Sequence, residues 1–223
     1  MPDAPFVYSQ GEAKKEIKPN MVDLKFSIKT FDENPDKAFK LLQNENIELK
    51  KLFDEIKISD DSIEAFDIDK STVRETNNDG QELKVLGYDI QQVFHIRLLD
   101  LDKYTALMNR LIKYRNIADF NSNFDVLERK EIESQLTAEA CADAKHKAEV
   151  MANGVGSQLG SVFAMAEKRF FSIDEAFGFA NEDDNSDRMM FKKSQFRKDS
   201  ITYIPSVIKI EKKVNVIYKL SEK

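Results

Sequence analysis

The segment 138–160 constrains the fold most, because it predicts a long helix with one face of small side chains. Seven residues recur at steps of three and four and so share one side of that helix: Ala138, Cys141, Ala142, Ala148, Met151, Ala152 and Val155. A face with so little bulk must lie close to whatever it covers. We therefore predict that these residues pack against a mainly antiparallel sheet.

Composition places the chain among globular proteins. Its 223 residues are 41% hydrophobic, enough for a real core. The 34 basic and 40 acidic residues give a net charge of −6, which argues against a general affinity for nucleic acid or anionic lipid. The single Cys141 excludes an intrachain disulfide and leaves the redox compartment open. The sequence contains no apolar run of about 18 residues, so it predicts no transmembrane helix.

Hydrophobic periodicity predicts an α+β fold with the order β-α-β-β-α-β, the split βαβ arrangement. The predicted elements are an extended stretch at 6–10, a strand at 22–28, a helix from an Asn34 cap to about Lys57, a strand at 63–75 with a bulge, a turn at 77–80, a strand at 88–98, a helix from an Asp100 cap to about Asn116 and a strand at 118–126. The long helix follows. Residues 1–223 are interpreted as a single domain.

The rest of the chain has fewer clear patterns. Residues 161–171 are predicted to be extended, within a phenylalanine-rich region at 163–179. The polar and charged run 181–200 is typical of a mobile loop. Residues 208–220 alternate regularly and predict a closing strand. The glycines at 154 and 156 are expected to end the long helix. They do not predict a phosphate-binding loop, because such a loop stands at the start of a helix.

A family resemblance rests on motifs in a fixed order. They are the run 142–149 with Ala152, Gly156, Leu159, Gly160 and Val162; Gly11-Glu12 before Pro19-Asn20; Gly87-Tyr88; the Leu99–Lys103 run; and the segment 207–218. Together they resemble the SIMPL domain (DUF541) family, which includes periplasmic immunogenic proteins of the bacterial envelope. Two departures bear on turn geometry: Asn20, where the family prefers Asp, and residues 116–121, where a Gly-Ala-Asn turn is usual.

The resemblance implies a largely non-enzymatic role. Bacterial members mostly enter the cell envelope through a signal peptide, some assemble into ring-like or channel-like oligomers, and some are linked to stress tolerance. It supplies no catalytic residue. The segment 1–5 lacks the features of a secretory signal, so we expect a periplasmic or envelope location only if a leader has been removed. A cytoplasmic location is the alternative.

Candidate chemical sites have plainer explanations as packing or surface residues. Cys141 has Lys145 one turn away, but a cysteine on a small-residue face is usually an apolar filler. His146 lies about 140° round the helix from Cys141 at 100° per residue, and His95 falls on a polar strand face with Asp89, Gln91 and Arg97. Neither supports a Cys/His pair. We expect no catalytic residue, cofactor or metal.

The charged loop carries two further possibilities. Asp183, Asn185 and Asp187 have the first spacings of a calcium loop, but Arg188 and Ser194 occupy positions that require Gly and Glu. The basic residues of the loop, Arg188, Lys192, Lys193, Arg197 and Lys198, interleave with Phe191 and Phe196, a pattern compatible with nucleic acid, a membrane surface or a neighbouring subunit. We expect a mobile loop or an oligomer contact.

Three hypotheses for function follow. The first is a structural or assembly protein that forms a homo-oligomer through its long hairpin and its edge strands. The second is an adaptor that binds a protein partner through the phenylalanine-rich region. The third, an enzyme, has the least support, and it predicts a pocket of converging titratable groups.

Overall fold

A computed structural model describes residues 5–77, 82–167 and 204–221. Its α-helices are α1 (Pro35–Ile56), α2 (Leu101–Leu111) and α3 (Arg129–Gly154), and a short 3-10 helix spans Asp60–Ser62. Its strands are β1 (Phe6–Ile17), β2 (Met21–Asp32), β3 (Ile63–Thr76), β4 (Glu82–Leu98), β5 (Ile117–Asp125), β6 (Gln158–Ala166) and β7 (Ile208–Ser221). Every strand pair in the described residues is antiparallel, so the predicted α+β class is confirmed.

The chain divides into two compact units. Unit 1 contains β1, α3, β6 and β7, and unit 2 contains β2 to β5 with α1 and α2. Among the described residues, unit 2 is a continuous run of sequence apart from residues 204–206, whereas unit 1 is assembled from three separate stretches. Whether both units unfold together, as the single-domain interpretation requires, stays a prediction.

Unit 2 has the predicted β-α-β-β-α-β order, formed by β2, α1, β3, β4, α2 and β5. Its strands lie in the order β3-β4-β2-β5. The predicted alternation of β2 and β4 is confirmed, because their apolar side chains form the core with α1 and α2. The fully buried members include Leu24, Phe26, Ile28, Leu42, Leu49, Leu52, Ile96, Leu107 and Leu111.

Local signals set where the helices of unit 2 begin, whereas α2 ends at Leu111 and not near Asn116 as predicted. The Asn34 side chain accepts hydrogen bonds from the N–H groups of Asp36 and Lys37, and Pro35 occupies the first helical position. Asp100 caps α2 in the same way. These side-chain oxygens satisfy N–H groups that have no partner within the helix. Both caps were predicted from the sequence, and both predictions are confirmed.

The two departures from the SIMPL pattern are accommodated locally. The Asn20 side-chain oxygen accepts the N–H of Leu127 at 2.9 Å, a bond that Asp would also make. Asp119 has a φ of 58°, a left-handed conformation that Asp tolerates better than most residues. Its carboxylate accepts a hydrogen bond from the buried Ser27 hydroxyl at 2.7 Å, where the pairing of β2 with β5 shifts register.

Unit 1 is a three-stranded sheet in the order β1-β7-β6, covered by α3. The predicted extended stretch at 6–10 was too short, since β1 continues to Ile17. Its second half alternates poorly in sequence, and it is held as a strand by pairing with β7, about 200 residues later. The predicted closing strand is β7, which lies at the centre of this sheet.

The buried face of α3 differs from the predicted one. Its buried residues follow a step of four: Ile132, Leu136, Ala140, Ala144, Ala148 and Ala152. Ala148 and Ala152 were predicted correctly, but Ala138, Ala142, Met151 and Val155 are exposed, and Cys141 is half-buried. The error arose because Ala is common on both sides of the helix, so composition alone could not select a face.

The predicted antiparallel sheet beneath α3 is present, but the structure has two sheets, and the helix packs on β1 and β7 of the three-stranded one. The small residues of this sheet explain the choice. A Cβ atom on Gly11 would lie 1.9 Å from the Ala140 carbonyl oxygen, so only glycine permits this approach. The helix ends as predicted, with Gly156 at a φ of 79°.

Candidate functional site

The most distinctive surface in unit 2 is a two-stranded ribbon, which we define as residues 66–76 of β3 and 82–86 of β4. Most of its residues are exposed, although several are large and apolar. These are Phe66 (49% exposed), Ile68, Leu83 (53% exposed), Val85 and Leu86. The exposed neighbours Val85 and Leu86 lie where the pairing register shifts, so the usual alternation of strand faces is interrupted there.

The outer part of the ribbon, residues 73–76 and 82–86, extends past β2. The pairing of β2 with β4 ends at Asp32 and Tyr88, so residues 82–87 of β4 continue beyond β2 and pair with β3. The predicted hairpin is therefore confirmed as a strand pair, although residues 78–81 of its turn lie outside the described residues. The sequence predicted the hairpin but did not predict that it reaches beyond the neighbouring strand.

Cross-strand contacts hold the ribbon in register. The Arg74 guanidinium lies 3.2 Å from a carboxylate oxygen of Glu82, and the Lys70 ammonium sits 4.8 Å from the centre of the Tyr88 ring. The pairing shifts between Ala65 and Ile68 and again near Arg74, which confirms the predicted bulge. Bulges increase the local twist of a strand. The backbone pairing at this edge is thus irregular, whereas most side chains along it are exposed.

His95 lies on the strand face of β4 that does not contact the helices. Its Nδ1 is 3.1 Å from Glu64 and its Nε2 is 3.3 Å from Asp23. Arg97, on the same face as predicted, also contacts Asp23 at 2.8 Å, and this hydrogen bond raises the pKa of Arg97. A histidine between two carboxylates ties three strands together.

Unit 1 has a groove of about 510 Å³ where α3 passes the edge of β1. Its lining residues are Tyr8, Ser9, Gln10, His146, Lys147, Val150 and Met151. Lys147 donates to the Gln10 carbonyl at 3.2 Å, and it pairs with Asp143 at 2.6 Å. The Lys147 ammonium, and next the Glu12 N–H, lower the pKa of Asp143. Asp143 and Lys147 were not predicted from the sequence, although their spacing of four on a helix indicates an ion pair.

The three candidate reactive residues on α3, Cys141, Lys145 and His146, have different neighbours. Cys141 is half-buried. Burial, and next the Cys141 thiol, raise the pKa of Tyr218 on β7. Lys145 pairs with Glu149 at 3.8 Å, and His146 is exposed at the groove. These placements favour the interpretation of Cys141 as a packing residue.

A second cavity, of about 220 Å³, lies in unit 2 between α1 and the start of β3. Leu49, Phe53, Ile63 and Phe94 supply its apolar lining, and Lys50 and Asp60 form an ion pair of 2.8 Å at its rim. The titratable groups of this cavity thus neutralise each other. We assign it no chemical role.

Several predictions fall outside the described residues. These are the calcium-like positions 183–194, the basic and aromatic residues 188–198, and most of the phenylalanine-rich region, of which 163–167 is described. Within residues 5–77, 82–167 and 204–221, no group of three or more His, Cys, Asp or Glu residues is placed to hold a metal ion. In the same ranges, no helix has the length and apolar character needed to cross a membrane.

Comparison with known proteins gives one informative result. A search of curated proteins finds no match for the chain. A scan against family models matches residues 7–218, a span that includes strands and helices of both units. The matching model is SIMPL, described as a protein of unknown function (DUF541), and the chain therefore belongs to the SIMPL family.

Proposed function

We propose that this protein is a non-catalytic component of the bacterial cell envelope that self-associates through its β3–β4 ribbon. The ribbon is the observation that carries the proposal. It presents five large apolar side chains to solvent, and three of them, Leu83, Val85 and Leu86, lie on the part of β4 that continues beyond β2. A monomeric protein would be expected to bury or replace such residues. A second copy of the chain supplies an apolar surface of the same kind.

The side chains of the ribbon are better suited to this contact than its backbone. The register shifts along β3 interrupt a continuous edge, and irregular edges resist the addition of another strand. The exposed apolar side chains of the ribbon can instead pack against the same residues of a second copy. A two-fold contact of this type is self-complementary and closes the assembly at a defined size.

The test is the molar mass of three proteins by size-exclusion chromatography with light scattering. We expect the wild type to associate with rising concentration and the triple variant Phe66→Ser, Ile68→Ser, Leu83→Ser to remain smaller. The matched control is Ile47→Ser, Leu99→Ser, Ile112→Ser, which removes three exposed apolar residues elsewhere in unit 2. A wild type that is strictly monomeric at every concentration contradicts the proposal, as does equal loss of mass in the control.

The envelope location and a structural or stress-related role rest on membership of the SIMPL family. Cell fractionation with N-terminal sequencing of the protein in its native host tests the location. We expect a processed chain in the periplasmic or envelope fraction. An unprocessed chain in the cytoplasm would overturn this part of the proposal while leaving self-association to be judged by the light-scattering result.

The non-catalytic part is supported by the contacts of the titratable side chains. Lys147 in the groove of unit 1 is paired with Asp143, and Lys50 in the cavity of unit 2 is paired with Asp60. His95 is held between two carboxylates. Groups with such partners hold structure in place, whereas a general acid or base must reach a substrate.

A second candidate function is that of an adaptor. Phe163 and Met165 of β6 are 50% and 59% exposed, and they lie at the start of the phenylalanine-rich region. If the protein binds a partner there, Phe163→Ser with Met165→Ser should abolish capture of that partner while leaving the molar mass unchanged. The ribbon variant should have the opposite pair of effects, which separates the two functions.

A further inference from the structure

Two backbone groups of β1 point away from β7. Residues of an antiparallel strand alternate between those bonded to the neighbouring strand and those whose N–H and C=O face the other way. The Pro5 carbonyl accepts the Leu220 N–H at 2.9 Å, on the β7 side. The register continues without a shift through Glu12. Odd-numbered residues therefore bond to β7, and Gln10 and Glu12 direct their backbone groups outward.

Side chains of α3 satisfy these outward groups. The Glu12 N–H donates to the Asp143 carboxylate at 2.9 Å, and the Lys147 ammonium donates to the Gln10 carbonyl at 3.2 Å. Asp143 and Lys147 are themselves joined at 2.6 Å. An additional strand would offer one acceptor and one donor at these positions. The ion pair offers the same two groups.

The close approach of α3 to β1 makes this arrangement possible. The Ser9 hydroxyl donates to the Ala144 carbonyl at 2.8 Å, and Gly11 leaves no Cβ between the strand and the helix. Ala140 and Ala144 are fully buried at the contact. The small residues therefore bring the helix near enough for Asp143 and Lys147 to reach over the edge of the strand.

We propose that the Asp143–Lys147 ion pair closes the edge of β1 to strand addition by a second copy of this chain. An uncovered edge strand is a template for pairing with another chain, and proteins commonly prevent this with charged side chains or a covering element. Here one ion pair does both, because it is charged and it occupies the hydrogen-bonding positions. This inference is independent of the ribbon and concerns a different surface.

The test is the double variant Asp143→Ala, Lys147→Ala, prepared with and without the ribbon triple variant. We expect the concentration for half-association to fall about tenfold in both backgrounds, and amides of β1 to exchange more slowly in the associated species. The control is Lys145→Ala, Glu149→Ala, which removes a pair with the same spacing on the same helix. We expect this control to associate like its parent.

A folded double variant with unchanged molar mass in both backgrounds would overturn the proposal, as would equal association of the control. Lys147→Met provides a milder change that keeps the length of the side chain and removes the donor, and it decides the question if the double variant unfolds. If the wild type is monomeric, the ribbon proposal fails, but the gain of association on opening β1 is still measured against that monomer.

Discussion

At the residue scale, small side chains decide where α3 lies. Gly11 admits the Ala140 carbonyl, and four alanines at a step of four allow the helix to lie close to the strands. The sequence indicated a tightly packed helix, and this was correct. It did not indicate which alanines are inside, because those at 138 and 142 look the same in sequence as those at 140 and 144. The neighbouring strand, which is distant in sequence, makes that selection.

The face assignment leads to a paired prediction. Ala148→Leu adds bulk at a fully buried position and should lower the free energy of unfolding by about 1 to 3 kcal/mol. Ala142→Leu adds the same bulk at an exposed position and should change it by less than about 0.5 kcal/mol. Urea denaturation monitored by circular dichroism measures both. Equal effects of the two substitutions would mean that the helix is rotated from the face described above.

At the element scale, the Asp143–Lys147 ion pair joins α3 to the edge of β1. Exposed apolar side chains distinguish the β3–β4 ribbon, the proposed contact surface. The caps at Asn34 and Asp100 and the hairpin were predictable, since each depends on residues close together in sequence. The contacts of Asp143 with Glu12 were not predictable, since they join residues 131 positions apart. The groove and the closed edge of β1 therefore appear only in the folded chain.

The contact between α3 and β1 should weaken in acid. Hydrogen bonding to Lys147, and next to the Glu12 N–H, lowers the pKa of Asp143 below its unfolded value of about 3.9. The unfolded chain therefore binds this proton more readily, and the contribution to stability is full above that value and is lost as the pH falls through the folded-state pKa. Asp143→Asn should reduce stability at pH 7 more than at pH 2.5. Urea midpoints of both proteins at each pH measure this, and an unchanged difference contradicts it.

At the scale of the whole molecule, the family match spans two compact units. The split βαβ unit has its own core, and the other unit is built from segments at both ends of the chain. Only three residues connect β1 with β2. We therefore keep the prediction that the chain unfolds as a single domain.

Hydrogen exchange tests this prediction. Destabilising unit 1 with Ala148→Leu should lower amide protection in the cores of both units by a similar factor, because a single domain loses its slowest-exchanging amides together. Peptides from β7 report on unit 1, and peptides from β2 report on unit 2. If β2 keeps its protection while β7 loses it, the units unfold separately and the single-domain prediction is wrong.

The sequence by itself determined most elements of this protein, the N-terminal caps of α1 and α2, the order of the split βαβ unit and its membership of the SIMPL family. These features depend on periodicity, capping and motifs within short stretches of chain. Only the tertiary structure decided which sheet α3 covers, which alanines it buries, that β1 pairs with β7, and that the outer part of the ribbon extends beyond β2. Each of those depends on contacts between residues far apart in the chain, whose partners no local pattern specifies.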